Sequence, residues 1–258
     1  MYPEQEQQTE PQEIKLENNS LSGFVAAVEN LYTSYKAGDL LFRGHKSKDY
    51  GLIPSIGRKK KNSNESEYVD NAEQSIFNEF CRLYYPYINH RPTRRLDMLF
   101  LAQHYGLPTR LLDWSFNPLI ALYMSCEEVK EEGVEKDEIS KDGRIFVKVL
   151  KDSNDVKCNN ADEDPFTYFN DKGNEIIMPD NIDVRYRNQQ GIFEIFANPR
   201  EESQNYLYYI DIPSDSKIQI RKSLSHIGID EKFIYPDMER LTSYLKEKYR
   251  NKTNNNKN

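Results

Sequence analysis

LAQHYGLPTRLLDWSFNPLIALYMS, residues 101–125, is the stretch around which the rest of this chain is organised. The apolar residues at its start predict a helix that ends near Tyr105, because Gly106 is suited to leaving a helix and Pro108 cannot continue one. A second helix is predicted to begin with Pro118 in its first turn, and its nearly continuous apolar side chains indicate burial on most sides. The core is therefore expected to form around these two helices.

Hydrogen-bonding side chains are concentrated between the two predicted helices. They are His104, Thr109, Arg110, Asp113 and Trp114, the only tryptophan of the chain. Because buried polar groups need partners, the favoured interpretation is a structural ion pair of Arg110 with Asp113 that fixes the turn. The alternative is a pocket wall in which His104 and Arg110 face a ligand.

Composition narrows the possible functions of these 258 residues. The formal net charge of −7 argues against non-specific binding to a nucleic-acid backbone, which requires clustered cations. Cys81, Cys126 and Cys158 are isolated and form no CxxC pair, so neither a disulfide framework nor a metal site is expected. The polar, acidic first residues do not resemble a signal peptide, and no apolar run could span a bilayer. We therefore expect a cytoplasmic protein that needs no membrane.

Three regions are expected along the chain. Residues 1–19 are rich in Glu and Gln and predict a flexible leader. Residues 20–250 carry the apolar periodicity of a single domain. Residues 251–258 form an Asn/Lys tail that cannot bury apolar area and is expected to be disordered.

Helices dominate the first half of the predicted domain. Residues 20–35 predict an amphipathic helix with Ser22 available as its cap, and residues 68–86 predict another. Between them, Leu40–Phe42 predict a short strand that runs into Arg43, Gly44 and His45.

Strands dominate the second half. Residues 144–150, 192–196, 207–212 and 217–220 are predicted as strands, followed by a short helix, a turn at Gly228 and a closing helix. The closing helix would turn Met238, Leu241 and Leu245 inward. This pattern predicts an α+β fold, with a helix-rich first half packed on a mixed, mainly antiparallel sheet to which the early strand contributes.

Several motifs together closely resemble the FRG domain family, which is named for its (F/Y)RG motif. The first is Phe42-Arg43-Gly44-His45, with Leu52, Pro54, Ser55 and Arg58 after it. The second and longest is AQHYGLPTRLLDW at residues 102–114, with Asn117, Pro118 and Ala121 after it. Two later segments extend the resemblance: Arg187, Gln190, Gly191 and Phe193, and then Gly228, Ile229, Phe233, Pro236 and Asp237.

FRG domains occur mainly in bacteria and phages, and the family name implies no established reaction. The resemblance implies a toxin or a phage-defence effector in such a host. The acceptor of any transferred group, whether protein or nucleic acid, and the oligomeric state are left open.

A second resemblance concerns mechanism. An apolar strand that ends in Arg-Gly is similar to the first core strand of NAD-dependent ADP-ribosyltransferases, which implies that Arg43 holds the NAD phosphate or the ribose beside it. A guanidinium binds a diphosphate bidentately, and Gly44 would let the ligand approach the backbone. The alternative is a structural Arg43 bonded to carbonyls or to an acid such as Asp113.

The transferase resemblance also implies a late strand that begins at a catalytic Glu. Here Gln189 or Gln190 occupies that position, and Glu194 lies inside the strand. A Gln can orient a ribose hydroxyl but supplies no negative charge, so Glu194 or another acid would have to take that role.

Two hypotheses follow for one nucleotide pocket. In an NAD-dependent ADP-ribosyltransferase-like enzyme, the catalytic candidates are Arg43, His104, Gln190 and Glu194. The candidates for binding NAD or an ADP-ribose-like molecule are Arg43, Gly44, His45, Tyr105, Arg110 and Trp114. The alternative is a non-catalytic nucleotide- or partner-sensing module, which is favoured by the missing Glu and by the absence of a base–nucleophile pair. A metal-dependent nuclease built on His104 and Asp113 ranks last, because no metal-ligand spacing is evident.

Overall fold

The chain is described by a computed structural model. It covers residues 10–60, 63–69, 71–88, 92–127, 141–151, 155–158, 164–167, 173–179 and 188–236. The predicted closing helix with Met238, Leu241 and Leu245, and the motif residues Arg187 and Asp237, lie outside these described residues.

Six α-helices occur in the described part of the chain. They are α1 (Leu21–Leu31), α2 (Ala72–Leu83), α3 (Arg95–His104), α4 (Pro118–Ser125), α5 (Lys217–His226) and α6 (Glu231–Ile234). The helix ending near Tyr105 and the helix opened by Pro118 are confirmed, as α3 and α4. Asn117 caps α4 by accepting a hydrogen bond from the backbone N–H of Leu119 at 3.0 Å.

Eight strands of the described residues form one mixed sheet. They are β1 (Gln12–Glu13), β2 (Leu40–His45), β3 (Leu111–Ser115), β4 (Gly143–Val149), β5 (Val156–Cys158), β6 (Glu175–Met178), β7 (Gly191–Ile195) and β8 (Tyr208–Ile212). Their order across the sheet is β1-β8-β4-β2-β3-β7-β6-β5. The pairs β1/β8 and β5/β6 are parallel and the others antiparallel, so the predicted α+β class is confirmed.

The two faces of the sheet are covered differently. On one face, Phe42 and Ile145 pack in a cluster with residues of α1, α4 and α5. Leu111 and Phe193 continue that face against α2 and α3. The opposite face carries Leu41, Leu112, Trp114 and Phe146 and is covered by loop residues such as Leu52 and Tyr206. Since side chains alternate along a strand, Arg43 and His45 point to this loop-covered face.

Three local predictions are wrong. The segment between α3 and α4 contains a strand, β3, where only a turn was expected. Residues 217–220 begin α5, because Ile220 and Leu224 are buried one helical turn apart and outweigh the strand-like alternation. Ser20 caps α1 in place of Ser22, since its side chain accepts a bond from the N–H of Gly23.

Strand β1 lies inside the segment predicted as a flexible leader. Its Gln12 and Glu13 pair with Tyr208 and Tyr209 of β8, and Ile14 packs against the core beyond it. This part of the leader therefore belongs to the sheet. No helix of the described residues is long and apolar enough to cross a membrane.

Candidate functional site

The centre of the sheet is weakly joined between β2 and β3. Phe42 opposite Ser115 is the one residue pair in register between them, whereas β2 pairs with β4 along all six of its residues. Beyond Phe42 the strands β2 and β3 separate. Arg43 is the first residue of β2 past this point, so its side chain lies where the sheet opens.

The Arg43 side chain is fixed by two neighbours. Its Nε–H donates to Nε2 of His45 at 2.8 Å, and Nη1 donates to the backbone carbonyl of Asp113. Nη1 also lies 3.6 Å from Oδ2 of the Asp113 carboxylate. Only 13% of the Arg43 side chain is exposed. Burial lowers the pKa of this guanidinium, and the Asp113 carboxylate opposes that shift.

His45 is a positioning group and is neutral. Because Arg43 can only donate, Nε2 of His45 accepts, and Nδ1 carries the proton that is donated to the carbonyl of Tyr50 at 3.0 Å. Burial and the adjacent Arg43 charge lower the pKa of His45 to about 3. The ring packs edge-on against Phe146, with 5.1 Å between centroids. His45 therefore orients Arg43 and does not act as an acid near neutral pH.

Asp113 is the exposed acid of the site. Its side chain is 56% exposed, and Oδ1 accepts a bond from Nε2 of Gln103 on α3 at 2.9 Å. The amide oxygen of Gln103 in turn accepts from the hydroxyl of the buried Thr109. A chain of hydrogen bonds thus runs from Thr109 through Gln103 and Asp113 to Arg43. It holds the carboxylate at the opening between β2 and β3.

A second arginine contributes positive charge at this opening. Arg58 is exposed, and it lies close enough for its charge to lower the pKa values of both Arg43 and His45. Its position is fixed by the preceding turn, Ser55–Gly57, because the N–H of Ile56 donates to the carbonyl of Thr109 at 3.3 Å. The positive charge of Arg58 therefore acts on Arg43 and His45, beside the half-exposed Asp113 carboxylate.

Glu194, the predicted catalytic acid, is buried in the interior. It is 1% exposed, and Oε2 lies 2.8 Å from Nζ of Lys148. Trp114 donates its indole N–H to the same oxygen at 3.0 Å, and Ser203 donates to Oε1 at 3.3 Å. Burial lowers the pKa of Lys148, and the Glu194 charge opposes it. The carboxylate is thus saturated by protein partners and has no access to a ligand in this structure.

Two predicted binding residues have structural roles instead. The Trp114 ring is 2% exposed, with Nζ of Lys148 5.0 Å from its centroid, so it offers no surface on which a ligand base could stack. A Cβ at Gly44 would lie 1.8 Å from the carbonyl oxygen of Ala121 on α4. Gly44 is therefore required for packing α4 on β2, and the space beside its Cα belongs to that helix.

The predicted ion pair between Arg110 and Asp113 is wrong. Both Arg110 and its actual partner Glu73, on α2, are buried. The Glu73 carboxylate accepts from the backbone N–H of Arg110 at 2.6 Å and from its Nε at 3.0 Å. Side chains alternate between the two faces of an extended chain. Arg110 and Asp113 are three residues apart in such a chain, so their side chains are expected on opposite faces and not in a pair.

The remaining predicted site residues lie at separate places. Gln190 is exposed in the turn before β7 with a φ of +46°, and its carbonyl accepts from the N–H of Phe116 at 3.2 Å. His104 and the exposed Tyr105 close α3, with their rings edge to face at 5.0 Å. The structure brings Arg43 and His45 together, whereas Gln190 lies in the turn before β7 and Glu194 forms its ion pair with Lys148.

Sequence reasoning named Asp113 as a possible acid partner of Arg43, and the structure places both its carbonyl and its carboxylate beside that guanidinium. It missed Gln103, which lies ten residues before Asp113 in the longest motif and is brought beside it by strand β3. Arg58 was treated as part of a loop. Glu73 lies 37 residues before Arg110, and nothing in the sequence links the two.

The described residues contain no cluster of three or more His, Cys, Asp or Glu that could hold a metal ion.

A family model described as FRG domain matches residues 38–133, which confirms that resemblance over β2 to α4. No curated protein and no solved structure matches the chain.

Proposed function

The chain carries an FRG domain at residues 38–133, and we propose that this domain binds the diphosphate of a nucleotide, NAD or an ADP-ribose-like molecule. The binding site is the opening between β2 and β3, and Arg43 is its central residue. In this proposal the domain is a nucleotide-binding module. A role as toxin or phage-defence effector is proposed on the FRG resemblance alone.

The observation that carries the proposal is the hydrogen bonding of the Arg43 guanidinium, which uses two of its three nitrogens. Nε and Nη1 are engaged by His45 and Asp113, whereas no described residue accepts a hydrogen bond from Nη2. A guanidinium donor that is largely desolvated yet still partly accessible binds an oxyanion strongly, because the local dielectric is low. The neutral His45 holds the planar group in place before a ligand arrives.

The charge balance supports a diphosphate over a neutral ligand. Among the described residues, the exposed Asp113 carboxylate forms the ion pair with Arg43, at 3.6 Å, and the charge of Arg58 adds to that of Arg43. A ligand phosphate can approach Nη2 and Arg58 while Asp113 remains bonded to Gln103. Two phosphate groups would compensate both arginines, which a single carboxylate does not.

We expect a thermal-shift titration to reveal this site. NAD, ADP-ribose and ATP are titrated into the wild-type chain, with adenosine as the ligand that lacks phosphate. The unfolding temperature should rise with at least one diphosphate ligand and not with adenosine. Arg43→Lys keeps the charge but loses the planar fork, so it should weaken binding about tenfold or more.

A control variant distinguishes binding at this site from a general effect of losing a positive charge. Arg82→Ala removes an exposed arginine that pairs with Glu79 on α2, and it should leave the ligand response unchanged. Equal responses of the wild type and Arg43→Lys, or equal responses to ADP-ribose and adenosine, would contradict the proposal.

A second candidate function is NAD cleavage, and the exposed Asp113 carboxylate beside Arg43 favours it. Glu194 is enclosed by Lys148 and Trp114, so Asp113 is the acid placed to stabilise positive charge developing on the ribose. In this reaction the bond between C1′ and the nicotinamide nitrogen breaks, and nicotinamide leaves with the electron pair. Water or an acceptor nucleophile then forms the new bond to C1′ and loses its proton.

Release of nicotinamide from NAD distinguishes the two candidates. Release by the wild-type chain that falls at least tenfold in Asp113→Asn would establish the enzyme. Saturable NAD binding with no nicotinamide released would support the binding module.

A further inference from the structure

An exposed aromatic ring lies next to the side chains that hold Arg43. Tyr50 is in the loop after β2, and 43% of its surface is exposed. Its carbonyl accepts the Nδ1–H of His45 at 3.0 Å, and its ring stands edge to face with the His45 ring at 6.4 Å between centroids. Nε2 of the same His45 accepts from Arg43 at 2.8 Å. The His45 imidazole therefore contacts both the Arg43 guanidinium and the Tyr50 ring.

The loop that carries Tyr50 is anchored at two points. The N–H of Lys48 donates to the carbonyl of Asp142 at 2.8 Å, and the side chains of these two residues form an ion pair at 2.9 Å. The N–H of Tyr50 donates to the carbonyl of Ser47 at 3.2 Å and closes a turn. An ordered loop lowers the entropy cost of binding a ligand on its exposed ring.

A carboxylate is the next neighbour of this ring. Glu202 is exposed, and a Cβ at Gly51 would lie 2.3 Å from its Oε1 and 2.9 Å from its Oε2. The carboxylate therefore rests against the bare Cα of the residue that follows Tyr50. The chain at this point is fixed, because the N–H of Ser203 donates to the carbonyl of Leu52 at 3.0 Å.

The ring and the carboxylate match the two parts of a nucleoside. The face of a tyrosine ring stacks on a purine or pyrimidine base, and such stacking tolerates every base. A carboxylate accepts the hydrogen bond of a ribose hydroxyl, as it does in dinucleotide-binding folds. Since one imidazole lies between the Tyr50 ring and the Arg43 guanidinium, a single nucleotide can bridge them with its base and its phosphates.

We propose that Tyr50 and Glu202 form the nucleoside subsite of the site at Arg43, with the base on the Tyr50 ring and a ribose hydroxyl bonded to Glu202. This inference rests on the proposed function and makes its ligands ribonucleotides. Arg43 binds the phosphates, and the two subsite residues distinguish a ribonucleotide from inorganic pyrophosphate. Tyr50 also provides the stacking surface that the buried Trp114 does not.

Isothermal titration calorimetry on the full chain separates the two parts of the site with three probes. Inorganic pyrophosphate tests the phosphate contacts alone, ADP adds the nucleoside, and 2′-deoxy-ADP lacks one ribose hydroxyl. We expect the wild-type chain to bind ADP about tenfold more tightly than pyrophosphate, because one stacked base contributes about that factor. It should bind 2′-deoxy-ADP less tightly than ADP.

Variants of the subsite assign each contact. Tyr50→Ala should weaken ADP about tenfold and leave pyrophosphate unchanged, whereas Tyr50→Phe keeps the ring and should bind ADP as the wild type does. Glu202→Ala should remove the preference for ADP over 2′-deoxy-ADP. Tyr87→Ala, which removes another exposed tyrosine, is the control and should bind all three probes as the wild type does.

The outcomes distinguish failure of this subsite from failure of the proposed function. Absence of binding of both pyrophosphate and ADP would overturn both. Equal affinity for pyrophosphate and ADP, or equal ADP affinity of the wild type and Tyr50→Ala, would overturn the nucleoside subsite alone. So would a loss of pyrophosphate affinity in Tyr50→Ala as large as the loss for ADP, because Tyr50 would then act by holding His45 and Arg43. An unchanged preference for ADP over 2′-deoxy-ADP in Glu202→Ala would overturn the ribose contact.

Discussion

His45 shows how one buried side chain links the site to stability. Its neutral ring accepts from Arg43 and donates to Tyr50, and burial lowers its pKa from 6.5 to about 3. Unfolding restores the ordinary pKa, so between about pH 6.5 and pH 3 the unfolded chain binds a proton that the folded chain does not. The contribution of His45 to stability is therefore fully present above pH 6.5 and is lost as the pH falls.

We expect the free energy of unfolding to fall with decreasing pH by up to about 1.4 kcal/mol per unit from this residue alone. His45→Gln retains an acceptor for Arg43 but does not titrate, so its stability should change less between pH 6.5 and pH 4.5. Urea denaturation at several pH values measures both slopes. His226→Gln, at an exposed position, is the control. If the free energy of unfolding depends on pH in the same way in the wild type and in His45→Gln, then His45 is not held neutral in the folded chain.

Glu73 and Asp113 provide a contrast between a buried and an exposed acid. Glu73→Gln leaves Arg110 buried without its counter-charge and should lower the free energy of unfolding by about 3 kcal/mol or more. Asp113→Asn affects an exposed carboxylate and should lower it by about 1 kcal/mol or less. Urea denaturation at neutral pH compares the two. A larger loss of unfolding free energy in Asp113→Asn than in Glu73→Gln would contradict this account and support the pairing of Arg110 with Asp113 that the sequence suggested.

At the scale of elements, α4 rests on β2 through a glycine. A Cβ at Gly44 would be 1.8 Å from the carbonyl oxygen of Ala121 and 2.8 Å from the N–H nitrogen of Ser125, both backbone atoms of α4. The helix would have to move away from the strand to accommodate it. The glycine of the Phe-Arg-Gly motif is therefore explained by helix packing.

Gly44→Ala should lower the free energy of unfolding by about 1–3 kcal/mol, which is the usual cost of overpacking. Gly51→Ala is the matched control, because the three atoms nearest to its Cβ would all belong to the end of the Glu202 side chain, which can move. Thermal unfolding followed by circular dichroism compares the two variants. Equal unfolding temperatures for Gly44→Ala and the wild type would mean that α4 does not approach β2 this closely.

The elements that the sequence predicted are those with long or well-marked patterns. Gly106 and Pro108 mark the end of α3, and Asn117-Pro118 mark the start of α4, because caps and breakers act locally. Strand β3 was missed because its five residues, LLDWS, occupy the short space between two helices, which also fits a turn. Its identity depends on pairing with β7, a contact about 80 residues away that no local pattern encodes.

At the scale of the whole molecule, the sheet is continuous but is joined at its centre by one residue pair, Phe42 opposite Ser115. Arg43 was predicted as a site residue from its place after an apolar strand, and the structure places it at this opening. Asp113 was named from the sequence as one possible acid partner of Arg43, without a reason to prefer it over others. Gln103 on α3 and the loop residue Arg58 could not be predicted as neighbours, because only the assembled sheet brings them near Asp113 and Arg43.

Hydrogen–deuterium exchange with and without saturating ADP-ribose tests the central claim most directly, because it locates the bound ligand on the chain. We predict slower exchange in peptides that cover residues 40–45, 55–58 and 111–115 of the wild-type chain, and loss of that protection in Arg43→Lys at the same ligand concentration. Protection confined to other peptides, or identical protection in Arg43→Lys, would contradict a nucleotide site at the opening between β2 and β3.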